Sequence, residues 1–183
     1  MVPAPAAGDD PAALPWYVLQ VMSGREDAAA RRVRAVAGDA ALGCFALRRQ
    51  AFFREQGVWG LRETPVYPGY LFATVRDAGA FVDALSLIAS EDVHLVGADG
   101  AGISACLTER EVRLIMELTD GGHVIGASVG RIVDGRLVVE RGPIRGREDL
   151  VTRIDRHRRC AWLDMGLLGQ PSVSVALEVV SKT

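Results

Sequence analysis

The sequence predicts an α+β fold, in which an antiparallel sheet with packed helices is joined by a helix-containing linker to a small β-barrel. Three observations lead to this prediction. Strand-like and helix-like segments follow one another up to residue 88 in the order β-α-β-β-β-α. A helical period returns over Thr108–Leu118. Short β-type runs separated by Gly and charged residues then fill residues 127–183, as is typical of a small barrel.

The first strand and helix are predicted from residues 16–38. The run Trp16–Met22 is aromatic, β-branched and apolar on both faces, as expected of a central strand. Ser23, followed three residues later by Glu26, predicts a capping box that opens a helix, and Gly38 predicts its end. The preceding residues 1–15 are mostly Ala, Pro, Gly and Asp, and we expect them to form a disordered tail.

The next segments predict a hairpin, a strand and a helix. Residues 44–54 and 58–63 flank Glu55-Gln56-Gly57, a short connection ending in Gly that favours a β-hairpin. Residues 70–75 predict a strand with Leu71, Ala73 and Val75 on one side and Tyr70, Phe72 and Thr74 on the other. A second helix is expected over residues 78–88 and a short strand over 93–96.

These elements predict two domains. We expect the first domain at residues 16–100, a linker with a helix at 101–126, and the barrel at 127–183, with the boundary near Gly121-Gly122. Of the 183 residues, 49% are hydrophobic and 24% charged, which is the balance of a chain that buries a core. Cations accumulate at the end: residues 127–183 contain nine Arg and Lys182 against seven acidic residues. The barrel is therefore the expected anion-binding part.

Composition and spacing also argue against several classes of protein. No run approaches the ~18 apolar residues of a membrane span, and the start of the chain lacks the pattern of a signal peptide. The unpaired Cys44, Cys106 and Cys160 suit a reducing cytoplasm. The histidines at positions 94, 123 and 157 have no metal-ligand spacing. We therefore expect a cytoplasmic protein without a membrane segment or a metal site.

Catalytic motifs are missing from the sequence. It contains no nucleophile elbow, phosphate-binding loop, dinucleotide fingerprint or metalloprotease motif. Cys106, or Cys44 paired with His94, is a conceivable nucleophile, but buried and inert cysteines are the more common case. We expect a protein that is not an enzyme and carries no cofactor.

Two signatures resemble a known family. The first is Trp16-Tyr17-Val18 before a helix, with Tyr67-Pro68-Gly69-Tyr70-Leu71-Phe72 about fifty residues later. The second is Gly142-Pro143-Ile144-Arg145-Gly146 followed by Leu150-Val151-Thr152-Arg153-Ile154-Asp155. In this order the signatures resemble the NusG family of transcription elongation factors, in which an NGN domain precedes a KOW barrel. The likeness extends from residue 16 to residue 182.

Within that family, residues 154–159, residues 177–180 and the helix-bearing linker are most similar to LoaP-type specialised paralogues. This resemblance implies processive antitermination of particular operons, with binding to bacterial RNA polymerase and to a hairpin in the nascent leader RNA. The protein is then expected to be a monomer. The alternative is a general NusG-type adaptor, whose barrel couples polymerase to Rho or to the ribosome.

The resemblance also implies a polymerase-binding surface, which in the family holds the clamp helices of the large catalytic subunit. The residues at the matching positions are Trp16, Tyr67, Tyr70, Phe72 and Phe81. From the strand pattern, Tyr70 and Phe72 point away from the helices and are expected to form an exposed aromatic patch. The alternative is that another element covers this face of the sheet. Trp16 and Phe81 could equally belong to the core.

Seven cationic or titratable side chains within fifteen residues form the candidate RNA site: Arg145, Arg147, Arg153, Arg156, His157, Arg158 and Arg159. They lie on two predicted loops that could present one basic face. Arg can bridge phosphates and stack on exposed bases, as recognition of RNA loops requires. The alternative is a solvated surface with internal ion pairs, such as Arg153 with Asp155, or a barrel whose apolar strands bind a protein.

Overall fold

The protein is described by a computed structural model. The structure describes residues 10–88, 93–97, 106–170 and 172–182. Within these ranges the α-helices are α1 (Glu26–Ala37), α2 (Ala78–Ser86) and α3 (Glu109–Thr119). The strands are β1 (Trp16–Val21), β2 (Ala41–Phe45), β3 (Arg48–Glu55), β4 (Val58–Pro65), β5 (Tyr70–Val75), β6 (Val93–Leu95), β7 (Val124–Ile125), β8 (Ser128–Val133), β9 (Arg136–Arg141), β10 (Val151–Asp155), β11 (Cys160–Leu163) and β12 (Val173–Lys182). The predicted order is confirmed in these ranges with two differences: the single strand expected over residues 44–54 is two strands, β2 and β3, and β7 was not predicted.

The chain packs as two units that are discontinuous in sequence. The first unit comprises Met1–Ala46 and Tyr67–Arg113, and the second comprises Leu47–Val66 and Leu114–Thr183. The β3–β4 hairpin therefore belongs with the C-terminal strands, whereas the sequence suggested one contiguous N-terminal domain. Backbone pairing gives the reason, because Arg48 and Arg49 of β3 pair in parallel with Val124 and Ile125 of β7.

The first unit contains a four-stranded sheet in the order β2-β5-β1-β6. All of its pairings are antiparallel, and β1 lies in the interior as predicted. Helices α1 and α2 pack on one face through a buried apolar cluster. Its members include Leu19, Val21, Val33, Leu71, Val75 and Phe81. Leu71 and Val75 thus point toward the helices, as the alternation in β5 indicated.

The predicted capping box at the start of α1 is wrong. The helix begins at Glu26, its N-cap residue is Arg25, and no side chain caps it. The Glu26 side chain is buried instead, and its Oε1 accepts hydrogen bonds from the backbone N–H of Gly24 (3.1 Å) and Gly69 (2.8 Å). The carbonyl of Gly69 in turn accepts from the N–H of Val21 at 2.8 Å. One carboxylate thus joins the end of β1, the start of α1 and the turn before β5.

A capping box forms at α3. Thr108 Oγ1 accepts from the N–H of Glu111 (3.3 Å), and Glu111 Oε2 accepts from the N–H of Thr108 (2.7 Å). The two exchanges satisfy donors that the helix itself leaves unpaired. Helix α3 then ends at Asp120 and Gly121, both at positive φ, where the predicted Asp120-Gly121-Gly122 break lies.

The second unit contains two sheets. One is three-stranded in the order β4-β3-β7, and the other is five-stranded in the order β10-β11-β12-β8-β9. Most neighbouring strands are antiparallel, but β12 pairs with β8 in parallel and β3 with β7 in parallel. The five strands predicted for the barrel are thus present and hydrogen-bonded in one sheet.

The Gly142–Gly146 segment is a structural turn between β9 and the short 3₁₀ helix at Glu148–Leu150. Gly142 has a φ of +101°, and a Cβ there would lie 2.6 Å from atoms of Ser128. Ile144 is fully buried, and its N–H donates to Ser128 Oγ at 3.2 Å. Glycine is therefore required at this position for both conformation and space.

The expected disordered tail is only partly open to comparison, because residues 1–9 lie outside the described residues. Residues 10–15 contain a turn: Asp10 accepts from the N–H of Ala12 and Ala13, and the carbonyl of Pro11 accepts from Trp16 Nε1 at 2.8 Å. The tail prediction is therefore wrong for these residues. Much of the predicted loop over 91–104 also lies outside the described ranges.

We predict that Glu26→Ala destabilises the protein by about 2–3 kcal/mol, because it leaves two backbone N–H groups at a buried position without their acceptor. Glu26→Gln keeps one acceptor oxygen and is expected to lose less. Urea unfolding of both variants beside the wild type measures the difference. Asp27→Ala, one residue on and exposed, is the control. Equal stability of Glu26→Ala and the wild type would contradict the assigned role.

Candidate nucleic-acid interface

Four of the five residues predicted to bind polymerase are buried. Relative exposure is 1% for Trp16, 4% for Tyr67 and 0% for both Phe72 and Phe81. Trp16 meets Phe45 edge-on with ring centroids 5.2 Å apart, and Phe45 stacks on Phe72 at 6.2 Å. The expectation that Phe72 is exposed beside Tyr70 is therefore wrong, because the Phe72 ring forms part of a core.

The reason is that both faces of β5 are covered. The cross-strand pairs Trp16 with Thr74 and Val18 with Phe72 place these side chains on the face opposite the helices, as predicted. Thr74 and Val18 are buried as well, so this face is covered. Sequence alternation gives the direction of a side chain, but it does not show whether a second layer lies on that face. Phe81 belongs to the helix-side core, 6.0 Å from Tyr17.

Tyr70 is the exception among the five. It is half-buried at the start of β5, opposite Gln20 of β1, which is exposed. The Pro68-Gly69 turn sets this position, since Gly69 has a φ of +81° and a Cβ there would lie 3.0 Å from the carbonyl oxygen of Val21. Tyr70 is thus the accessible member of the predicted polymerase-binding residues.

Six of the seven predicted RNA-binding residues lie in two segments of the second unit, and the seventh, Arg153, lies on β10 between them. Arg145 and Arg147 precede β10, whereas residues 156–159 form the turn that follows it. Five residues of β10 separate the two groups, a distance of about 16 Å at 3.3 Å per residue. The two groups therefore lie at opposite ends of β10.

The first group lines an open cavity of about 500 Å³ with the end of α3. Arg147 forms an ion pair with Glu117 of α3, and Asp120 also lines the cavity. Glu148 is held nearby: burial raises the pKa of its carboxyl, but hydrogen bonds from the backbone N–H groups of Glu148, Val139 and Gly146, with the charge of Arg145, bring that pKa below its usual value. Charges of both signs meet here, so this group is a weak site for an anion.

The second group forms the β10–β11 turn, whose sequence is Arg156-His157-Arg158-Arg159. The first three side chains are exposed. Asp155 Oδ1 accepts from the N–H of Arg158 at 2.9 Å, and this hydrogen bond is the main cause that lowers the pKa of the Asp155 carboxyl below its ordinary value of 3.8. The turn thus has a fixed backbone while it exposes its cations.

Arg159 connects this turn to its surroundings. Its φ of +50° lies in the left-handed region, a strained conformation for a residue with a side chain. Its guanidinium pairs with Glu178 of β12 at 3.2 Å, and its carbonyl accepts from the N–H of Leu177 at 3.0 Å. The guanidinium also lies 4.8 Å from the ring centroid of Trp59 and 5.5 Å from that of Phe52. The β10–β11 turn is thereby anchored against the β3–β4 hairpin.

The hairpin is the functional candidate that sequence analysis did not identify. Its two-residue turn, Gln56-Gly57, has positive φ at both positions, which matches the twist of the flanking strands. Phe52 and Trp59 meet edge-on with ring centroids 6.3 Å apart. The guanidinium of Arg54 lies 6.0 Å from Trp59, and that of Arg62 lies 4.4 Å from Phe53. The available signal was the alternation of Phe and Trp with Arg along residues 52–62.

Arg153 forms another cation–π contact. Its guanidinium lies 4.7 Å from the ring centroid of Trp162 on the neighbouring strand β11. The suggested pair of Arg153 with Asp155 is replaced by a pair of Arg158 with Asp155, at 3.9 Å and largely exposed. Such pairs contribute little to stability. Asp155 therefore serves the turn mainly through its hydrogen bond.

The thiols are not activated nucleophiles. Burial raises the pKa of Cys44 to about 12, and burial is also the main cause that raises the pKa of Cys106 and of Cys160. Cys44 and His94 lie on strands at opposite edges of the first sheet, which places them about 14 Å apart across three strand spacings. The conceivable pair of Cys44 with His94 is therefore not formed.

Two further properties of the described residues bear on function. In the ranges that the structure covers, no three His, Cys, Asp or Glu side chains are grouped so that they could hold a metal ion. None of the helices in these ranges is long and apolar enough to cross a membrane.

The two units define a two-part α+β fold. This chain is similar to a solved structure of NusG from Thermotoga maritima, which was determined to describe the interaction of its domains. The sequences are 20% identical, the match covers 93% of this chain and 96% of that chain, and the TM-score is 0.50. No protein-family profile and no curated protein matches the chain. The likeness shows a NusG-like fold.

We predict that the β10–β11 turn keeps its structure as the pH falls from neutral to the ordinary Asp pKa of 3.8, because the lowered pKa keeps the Asp155 carboxyl mostly ionised there. A depressed pKa stabilises the fold above the unfolded-state value, and this contribution is lost as the pH falls through the folded-state value. NMR titration of the Asp155 carboxyl and of the Arg158 amide measures the transition. An Asp155 midpoint at or above 3.8 would contradict the prediction.

Proposed function

We propose that this protein is a cytoplasmic, non-enzymatic transcription elongation factor, with the first unit as its NGN domain and residues 127–183 as its KOW domain. The observation that carries the proposal is the NusG-like fold over 93% of the chain. The two signature turns support it, because Gly69 and Gly142 each occupy a position where another residue would be strained. In this role the chain acts as a monomer and holds no cofactor.

The NGN domain is proposed to bind the clamp helices of bacterial RNA polymerase. Tyr70 is the proposed contact residue, because it is half-exposed at the start of β5. The other four predicted residues are buried and are not proposed as contacts: Trp16, Tyr67, Phe72 and Phe81. A factor that binds the closed clamp better than the open one favours the closed state by the difference in affinity. Pausing and termination, which accompany clamp opening, are then suppressed.

The KOW domain is proposed to bind nascent RNA, which gives the factor its choice of operon as a processive antiterminator. The support is the β10–β11 turn, where Arg156, His157 and Arg158 are exposed on a backbone held by Asp155. Two modest contacts on one elongation complex act at a high effective concentration. Neither contact therefore has to be strong alone.

A general adaptor that binds Rho or the ribosome is the second candidate. Two exposed valines favour it: Val138 of β9 is 40% exposed and Val180 of β12 is 59% exposed. Both strands neighbour β8 in the five-stranded sheet. Apolar side chains of this kind suit a protein partner.

We predict that the wild type binds bacterial core RNA polymerase saturably and that Tyr70→Ala weakens binding by about tenfold, as is typical for an aromatic anchor. Tyr70→Phe is expected to retain most of the affinity, because it keeps the ring. Val82→Ala removes an exposed apolar side chain of α2 and is the control. Surface plasmon resonance measures all four proteins after circular dichroism has shown that they fold. Absence of binding by the wild type would refute the proposed function.

RNA and adaptor functions differ in their response to salt. We predict that Arg156→Ala/Arg158→Ala weakens binding to a leader RNA hairpin and lowers the salt slope by about 0.7 for each phosphate that the variant no longer neutralises. The Arg158 backbone N–H remains, so the turn is preserved. Arg136→Ala removes one exposed cation of the same unit and is the control. Hairpin binding that the double variant leaves unchanged would favour the adaptor.

A further inference from the structure

The β3–β4 hairpin and the β10–β11 turn form one surface within the second unit. Arg159 links them, since its guanidinium contacts both Trp59 and Phe52 and its neighbour Arg158 is exposed. The hairpin segment, residues 47–66, contains four Arg against two Glu. We call this surface the hairpin–turn surface, and its members are Phe52, Arg54, Trp59, Leu61, Arg156, His157 and Arg158.

We propose that the hairpin–turn surface binds single-stranded RNA, with bases stacked on the hairpin and phosphates held by the arginines. The inference deepens the proposed function, on which it rests, by naming the kind of RNA and the residues outside the KOW domain that contact it. Aromatic rings accept any unpaired base, whereas the stacked bases of a duplex cannot reach them. The surface would therefore recognise the loop of a hairpin or a single strand beside it.

The apolar part of the surface is accessible. Phe52 and Trp59 are half-buried, and Leu61, the cross-strand partner of Phe52, is 45% exposed. Cross-strand partners project from the same face of a hairpin, and so do Arg54 and its partner Trp59. Ring, aliphatic and cationic side chains thus share one side of β3 and β4.

The arginines are already placed for phosphate. Arg54 lies near the Trp59 ring, and its Nε donates to the carbonyl of Gly57 at 3.2 Å, so its position is partly fixed before any ligand binds. A guanidinium beside a ring keeps N–H donors in its plane for a phosphate oxygen. Arg156 and Arg158 are exposed on the neighbouring turn and add two further cations to the surface. Alternation of rings and cations matches the alternation of bases and phosphates along a single strand.

The ion pair with Glu178 separates Arg159 from the other arginines of the surface. It neutralises Arg159, which is half-buried among the rings, whereas Arg54, Arg156 and Arg158 are exposed. The buried arginine then serves as a support for the rings, and the exposed ones remain for the ligand. A protein partner would also suit rings and arginines, since both are enriched at protein interfaces, so the salt dependence of binding is what distinguishes RNA from a protein here.

The test measures binding of the full chain to a fluorescein-labelled 12-nucleotide oligouridine, by anisotropy at several salt concentrations. The variant Phe52→Leu/Trp59→Leu keeps apolar bulk but removes stacking, and it is expected to weaken binding by about tenfold or more. Arg54→Ala is expected to lower the salt slope by about 0.7. The single variant Trp59→Phe keeps an aromatic ring and is expected to retain most of the wild-type affinity. Arg136→Ala is the matched control, and an unlabelled duplex of equal length should compete poorly.

The outcomes separate this inference from the proposed function. If the wild type binds and both Phe52→Leu/Trp59→Leu and Arg156→Ala/Arg158→Ala bind weakly, the surface is supported. If the arginine variant is weak but the leucine variant matches the wild type, the inference is overturned while RNA binding by the turn stands. If the duplex competes as well as a single strand, the stacking role is also overturned. If the wild type binds polymerase but no RNA, the surface is not an RNA site and the adaptor function gains support.

Discussion

The buried Glu26 carboxylate is the interaction on which the first unit depends. One oxygen accepts from Gly24 at the start of α1 and from Gly69 before β5, and Gly69 also binds Val21 of β1. Segments more than forty residues apart therefore meet at one point. Because the charge is buried, the hydrogen bonds offset its desolvation, and they also restrict the backbone around Gly69. The hydrogen bonds of Gly69 with Glu26 and Val21 thus fix the Tyr67–Tyr70 turn within the first unit.

The second unit is organised around Arg159 in a comparable way. The residue combines a strained backbone, an ion pair with Glu178 and two contacts with aromatic rings. Its strain is maintained because the surrounding contacts fix it. The same residue that shapes the turn also determines how the hairpin rings are presented. In sequence, Arg159 was one of seven similar candidates, and the structure gives it a supporting role.

Local patterns predicted the elements, and tertiary contacts decided the sites. Strand β5 was predicted with its bounds and with its two faces, because alternation within one strand is local. The burial of Phe72 was not predictable, since it depends on what covers the sheet. The Ser23–Glu26 pattern failed and the same pattern at Thr108–Glu111 formed, because the Glu26 side chain had a competing buried use. The hairpin surface was missed because its ring and arginine contacts join residues about one hundred positions apart.

The chain enters the second unit at Leu47 and leaves it at Val66, at the two ends of the hairpin segment. These ends are neighbours, since the N–H of Val66 donates to the carbonyl of Leu47 at 2.8 Å. A segment whose two ends are already bonded to each other closes on itself without help from the rest of the chain. Its length and its sequence can change with little effect on the helices and sheet of the first unit. Exchange of this one hairpin would therefore change the surface that it carries while the helices and sheet of the first unit stay unchanged.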